Sequence, residues 1–144
     1  MKLRIIAIGR FREEPLRAIA DQYVKRINRY ARVEIVEIER KGRDAAQRIR
    51  RIVTPRDHVV ALDEKGRTFT SESFARHLDD LLAGCERIVF IVGEAEGLPR
   101  EISGLIEERL SLSSMTLQHD IARIVFLEQL YRAFSILKGE PYHK

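Results

Sequence analysis

LSLSSMTLQHDIARIVFLEQLYRAFSILKGEPYHK, Leu110 to Lys144, is the stretch on which the fold turns. It reads as a brief strand at Leu110-Ser111-Leu112, a serine-rich loop, a long helix and a short polar-aromatic tail. Asp120 stands where an N-cap would open a helix over Ile121–Leu137, and Gly139 and Pro141 would end it. Just upstream, Ile88-Val89-Phe90-Ile91-Val92 is the most apolar run in the chain and breaks on Gly93. A run apolar at every position is expected of a strand covered on both faces, so it belongs at the centre of a sheet.

Working outward, strand and helix alternate. Leu3–Ile8 is a buried strand ending at Gly9, and Leu16, Ile19, Ala20, Tyr23, Ile27 and Tyr30 then line one helix face. Val33–Ile38 alternates as a half-exposed strand does, and a short basic helix covers about Asp44 to Val53 before Pro55. His58–Leu62 is a third strand, closed by the turn Asp63-Glu64-Lys65-Gly66. Ser71 reads as the N-cap of a helix with Phe74, Leu78, Leu81 and Leu82 inside and Gly84 at its end. Pro99 fits the first turn of a helix carrying Ile102, Leu105 and Ile106. Single helices between strands predict an α/β domain over 1–144, with a single-layer, mostly parallel sheet of about five strands and helices on both faces.

The 144 residues suffice for one core without metal or disulfide support. Cys85 is the only cysteine, so an intrachain disulfide is impossible and a reducing compartment is expected. The apolar run after Lys2 and Arg4 is too short for a signal peptide, and nothing approaches a membrane span. These features predict a cytoplasmic protein without a membrane partner. The net charge of +4 is unevenly spread, with the basic residues crowded into the first 56 positions. Lys25, Arg29 and Arg32 fall opposite Tyr23 and Ile27 on their helix, and Arg48, Arg50 and Arg51 follow. Such a surface can meet phosphates or can be a solvated face. No His, Cys and carboxylate spacing suits a metal.

In open parallel sheets ligands bind beyond the carboxyl ends of strands. Three loops there bear glycine or serine: Leu62–Gly66, Gly93–Gly97 and Ser111–Gln118. Gly93-Glu94-Ala95-Glu96-Gly97 lacks the glycine spacing of a dinucleotide fingerprint and the Gly-Lys-Ser/Thr of a P-loop. Its two acids would repel a phosphate chain. A nucleotide ligand here should lack one, as S-adenosylmethionine does. The bland alternatives are a simple turn at Gly93–Gly97 and a polar connector at Ser111–Thr116. His119 and Arg123, four apart, share a helix face and could hold an anion or simply cap and decorate the helix. Glu128 and Arg132 have the spacing of a helical ion pair.

Taken in order, these segments closely resemble one family. They are Leu62-Asp63 with Gly66 and Ser71–Ala75; Phe90–Gly93 with Gly97-Leu98; Ser111–Thr116, His119, Arg123 and Glu128–Ala133; and Pro141-Tyr142-His143. The Met-Lys-Leu-Arg start, Gly9 and Tyr23, Lys25 and Arg26 match as well. The family is that of the ribosomal large-subunit pseudouridine N3-methyltransferases, in the SPOUT superfamily.

The resemblance implies a C-terminal trefoil knot, a homodimer and S-adenosylmethionine as cofactor. It implies that Leu62, Gly93, Leu112, Ser113, Ser114, Met115, Thr116 and Leu117 bind that cofactor. The substrate would be a pseudouridine of 23S rRNA on the ribosome, with Lys25, Arg26, Arg29 and Arg123 toward the RNA. With no added RNA-binding domain, the assembled ribosome would supply much of the recognition. His143 on the tail would take the N3 proton and Tyr142 would position the base. Two departures stand out: Glu94 where members usually carry a second glycine, and Gln118 where they carry proline. Glu94 also raises the alternative of a non-catalytic RNA-binding relative with an impaired cofactor pocket.

Overall fold

The structure is a computed structural model and describes residues 3–39, 44–94 and 97–143. Met1 and Lys2 of the family-like start, Ala95 and Glu96 of the glycine loop, and Lys144 lie outside the described residues. The strands are β1 (Leu3–Ile8), β2 (Val33–Ile38), β3 (Asp57–Thr68), β4 (Arg87–Val92) and β5 (Glu108–Ser111). The helices are α1 (Glu14–Ile27), α2 (Asp44–Ile52), α3 (Ser71–Gly84) and α4 (His119–Leu137), with a 3-10 helix at Arg100–Leu105. The five strands form one sheet in the order β2-β1-β4-β3-β5, every pair parallel.

β4 takes the central place that its unbroken apolar run predicts, and Ile88 to Ile91 are fully buried. Alternate residues feed two cores, one on each face. On one face Leu3, Ile5, Val60, Ile88 and Phe90 pack with Phe74 and Leu78 of α3 and with Phe126, Leu127, Leu130 and Phe134 of α4. On the other, Ile6, Ile8, Val59, Val89 and Ile91 pack with Ala45, Ala46 and Ile49 of α2 and Ile102 of the 3-10 helix. α1 joins α3 and α4 on the first face through Ala20 and Ile27.

Several local expectations change. Asp63–Gly66 does not end β3. Leu62 and Arg67 both pair with Leu110, so the segment between them is a bulge and the strand runs on to Thr68. Thr70, not Ser71, caps α3, exchanging hydrogen bonds with Ser73 in a capping box. Ser71 instead donates to Gln129 Oε1 on α4 at 2.7 Å. The helix expected after Pro99 is a single 3-10 stretch. Gln118 opens α4, accepting from the Ile121 N–H at 3.0 Å, whereas Asp120 is fully buried. Ile19, expected inside, is 40% exposed.

Asp57 closes the amino end of β3 against β4. It is 5% exposed, holds Arg87 through both oxygens at 2.6 and 2.7 Å, and accepts from the Thr54 N–H at 2.8 Å. Burial raises its carboxyl, but the Arg87 and Thr54 hydrogen bonds outweigh this and hold it below its ordinary value. Glu108 is lowered in the same way against burial, by His77 and His58. Carboxyls depressed in the folded state stabilise it above their unfolded value, near pH 4, and lose that contribution as pH falls through the folded value. Urea unfolding should therefore show stability steady from pH 7 to 5 and falling below about pH 4. Asp57→Asn should cost about 2–3 kcal/mol at pH 7 and flatten the acid limb. An acid limb as steep in the variant as in the native chain would remove Asp57 from this account.

Candidate functional site

Because all strands run the same way, the carboxyl ends of β3, β4 and β5 share one edge. The loops that leave them close a cavity of about 640 Å³. Its walls come from the β3 bulge (Leu62, Asp63, Glu64), the end of β4 and its loop (Val92, Gly93, Glu94, Gly97), and the loop before α4. The 3-10 helix and the first turn of α4 complete them. The size lies within the usual range for small-molecule pockets.

The close approach of these loops needs glycine at two places. A Cβ on Gly66 would stand 2.6 Å from the Arg109 carbonyl carbon and 2.8 Å from the Leu110 nitrogen, both backbone. One on Gly93 would meet the Gly97 carbonyl oxygen and a Leu98 methyl, each at 2.9 Å. The bulge therefore lies directly on β5. Gly66→Ala should push the two strands apart, costing about 1–3 kcal/mol by overpacking. It should also weaken any ligand held between the bulge and the β5 loop. Thermal unfolding with a ligand titration checks both, and a variant unchanged in both would show that the bulge does not bear on β5.

Serine hydroxyls shape the loop after β5. Ser111 Oγ donates to the Ser113 carbonyl at 3.0 Å, and Ser113 Oγ accepts from the Met115 N–H at 2.9 Å. Thr116 reaches across to donate to Glu64 at 2.8 Å, tying the loop to the bulge. Met115 is left 77% exposed. Of the residues expected at a cofactor, Leu62, Gly93, Leu112, Ser113, Met115, Thr116 and Leu117 line the cavity, while Ser114 is exposed and outside its wall. The sequence reading did not pick out Arg109, which holds Asp63 at 3.0 Å on the rim. Nothing in its local pattern marks it.

Beside the cavity, Arg123 is 2% exposed. Its guanidinium donates to Glu37 Oε2 and to the Gly9 carbonyl, each at 2.9 Å, and lies 4.5 Å from the Phe11 ring centroid. Burial lowers its pKa and the Glu37 charge partly offsets that. Expected at the RNA, it is spent internally, joining the ends of β1 and β2 to α4. His119 does not share an anion site with it: its Nε2 faces Asp120 Oδ1 at 3.3 Å.

The tail does not enter this cavity. Tyr142 donates to Glu128 Oε2 at 2.7 Å, and Arg132 donates to His143 Nδ1 at 2.9 Å and to Glu128 at 2.8 Å. His143 Nε2 stands 3.6 Å from Glu72 of α3. Glu128 and Arg132 come six and ten residues after the cavity-lining Ala122, roughly 9–15 Å further along α4 at about 1.5 Å per residue. Burial raises Glu128's carboxyl, yet the Arg132 and Tyr142 hydrogen bonds hold it below its ordinary value. Burial and Glu128 together raise the Tyr142 phenol.

Of the basic residues, Lys25 on α1 and Arg29 in the turn after it are exposed, while Arg26 lies 5.3 and 5.7 Å from the Tyr23 and Tyr131 rings. Arg48, Arg50 and Arg51 sit on α2 across the sheet, so the two basic groups do not form one surface. Among the described residues no cluster of His, Cys, Asp or Glu is arranged to hold a metal ion, and no helix is long and apolar enough to cross a membrane.

Comparison with known proteins gives concordant results. The family model described as predicted SPOUT methyltransferase matches residues 1–143. The ribosomal RNA large subunit methyltransferase H of Anaeromyxobacter sp. (strain Fw109-5) is 39% identical over 153 aligned positions, covering 100% of both chains. Its namesake in Carboxydothermus hydrogenoformans is 36% identical over 159, again covering both chains fully. A solved structure, that of a probable methylase family protein from Haemophilus influenzae Rd KW20, superposes with a TM-score of 0.57. It covers 99% of this chain and 70% of the other at 15% identity, which speaks to the fold alone. A match that runs from residue 1 to 143, with full-length relatives at 36–39% identity, means that this chain belongs to the SPOUT methyltransferase family.

Proposed function

We propose that residues 1–144 form an S-adenosylmethionine-dependent methyltransferase that acts on N3 of a pseudouridine in 23S rRNA of the large ribosomal subunit. The observation that carries this reading is the single cavity closed by three loops at the carboxyl edge of the sheet, in a chain whose full-length relatives are named rRNA large subunit methyltransferases. The cavity suits the cofactor chemically. Leu62, Val92, Leu98, Leu112 and Leu117 offer apolar surface for a purine, and Asp63, Glu64 and Glu94 disfavour a phosphate chain.

Bound there, S-adenosylmethionine supplies a methyl group activated by a sulfonium. Leu62, Gly93 and the cavity-lining residues of the loop from Leu112 to Leu117 would hold it, with Ser113, Met115 and Thr116 contributing chiefly backbone groups. Attack by N3 requires loss of its proton, which His143 accepts while Tyr142 positions the base. The tail lies well away from its own chain's cavity, which favours a homodimer in which it serves the cavity of a second copy. Met115, Ile121 and Tyr142 are large, exposed side chains that such a dimer would cover. The C-terminal segment is knotted in this reading, as the family resemblance implies.

Lys25 and Arg29, with Arg26 beside them, meet rRNA phosphates on cytoplasmic ribosomes. Arg123 is assigned to bracing the site instead. Mass spectrometry of 23S rRNA from a strain lacking this gene, with and without the gene restored, tests the function. The methyl mark should vanish and return; a mark that persists in the deletion would refute it. RNA binding with no affinity for the cofactor would favour a non-catalytic relative.

A further inference from the structure

We propose that Glu94 and His119 form a subsite for a primary ammonium at one end of the cavity. Resting on the function proposed above, this group is the α-ammonium of the methyl donor's amino-acid moiety.

The argument begins with which acids in the cavity are already engaged. Asp63 holds Arg109 at 3.0 Å and accepts from the Lys65 N–H at 2.9 Å. Glu64 accepts from Thr116 at 2.8 Å. Glu94 is half-buried in the cavity wall and has neither a hydrogen bond nor an ion pair from its side chain among the described residues. Its backbone is fixed, because Gly97 N–H donates to the Glu94 carbonyl at 2.8 Å. Its carboxylate stands over Gly9, where a Cβ would come within 2.9 Å of Oε1. Gly9 has a φ of +90°, so glycine is favoured there on both counts. A carboxylate that has lost part of its hydration without gaining a partner is a site waiting for a cation.

The second acceptor is His119, whose side chain is 9% exposed and lines the same cavity. Its Nε2 faces Asp120 Oδ1 at 3.3 Å. Asp120 is fully buried; Oδ2 accepts from the Arg12 N–H at 3.0 Å, and Oδ1 receives no hydrogen bond in the structure. The tautomer with its proton on Nε2 turns that proton toward the carboxylate without a formed hydrogen bond and leaves Nδ1 as an acceptor. Glu94 and Asp120 thus both rest on the short loop leaving β1, one at Gly9 and the other at Arg12. Arg123 shares its charge with Asp120, but its donors are committed to Glu37 and the Gly9 carbonyl, and no ion pair joins it to Glu94 among the described residues. Arg109 is tied to Asp63, and Arg100 is exposed at the start of the 3-10 helix. A primary ammonium has three donors and suits two acceptors in the wall of one cavity.

Three probes separate the possibilities by calorimetry. S-adenosylmethionine carries the sulfonium and the ammonium, S-adenosylhomocysteine only the ammonium, and 5′-deoxy-5′-methylthioadenosine neither. The native chain should bind all three. Glu94→Gln should weaken the first two about tenfold and leave the third within about twofold. Glu94→Asp should recover part of the loss, and His119→Ala should show the same pattern as Glu94→Gln. Loss for S-adenosylmethionine alone would place Glu94 at the sulfonium and overturn the proposal. Equal loss for all three, or none for any, would overturn it too. A native chain that binds none of the probes would instead refute the methyl-donor reading on which it stands.

Discussion

Replacing Arg123 with alanine should cost about 3 kcal/mol of folding free energy, because it removes the buried member of an ion pair and leaves Glu37, a quarter exposed, with only longer contacts. Its guanidinium, on a residue only 2% exposed, joins Glu37 on β2, the Gly9 carbonyl after β1 and the Phe11 ring to α4. Glu37 would keep Arg17, whose contacts are longer at 3.3 Å, and the Gly9 carbonyl would lose its Arg123 donor. Stability for a domain of this size is about 5–15 kcal/mol, so the variant should unfold at much lower urea and lose any ligand held near Gly9. Arg123→Lys should rescue little, since one ammonium cannot replace a fork that reaches two acceptors in fixed directions. Equilibrium unfolding of the three proteins checks this; an alanine variant within about 1 kcal/mol of the native chain would show Arg123 to be free for another partner.

The second large effect concerns the tail. His143→Ala should lower methylation of ribosomal RNA by roughly 10²-fold or more, the usual worth of a positioned proton acceptor, while cofactor affinity stays within about twofold. In its own chain His143 accepts from Arg132 and faces Glu72, contacts at the surface of α3 and α4 that contribute little to folding. A merely structural tail would therefore show little change in turnover. Mixing His143→Ala with a Gly93→Val variant, which is blocked at the cavity, separates the arrangements further. Activity restored in the mixture means that one copy's tail serves the other's cavity. Two inactive variants that stay inactive together would mean that each tail serves its own.

Much of this architecture was legible before any coordinates. β1 and β2 have the bounds read from Leu3–Ile8 and Val33–Ile38, and β4 is central, because uninterrupted or alternating apolar runs have one economical solution in a sheet. The three loops were found by their position after strands, since in a parallel sheet those ends must share an edge. What failed was local chemistry with two physical outcomes. Asp63-Glu64-Lys65-Gly66 suits a turn and a bulge equally, and only the fit of Gly66 against β5 decides for the bulge.

Asp120 has the right side chain for an N-cap, but Gln118 takes that place while Asp120 turns inward to the Arg12 N–H. Arg123 looked like a surface cation because helical spacing does not reveal what a neighbouring strand end needs. The basic residues of α1 and α2 seemed to form one patch because sequence proximity hides which face of the sheet each helix covers. The tail, near the loop in sequence, lies apart from it because α4 carries the chain away.

The most direct test is a crystal structure of this chain grown with S-adenosylhomocysteine. The adenine ring should lie between the β3 bulge at Leu62, the Gly93 turn and the loop from Leu112 to Leu117, with the amino-acid end toward Glu94. An adenine bound anywhere else, or an empty cavity at saturating ligand, would contradict the assignment of these three loops to one methyl-donor site.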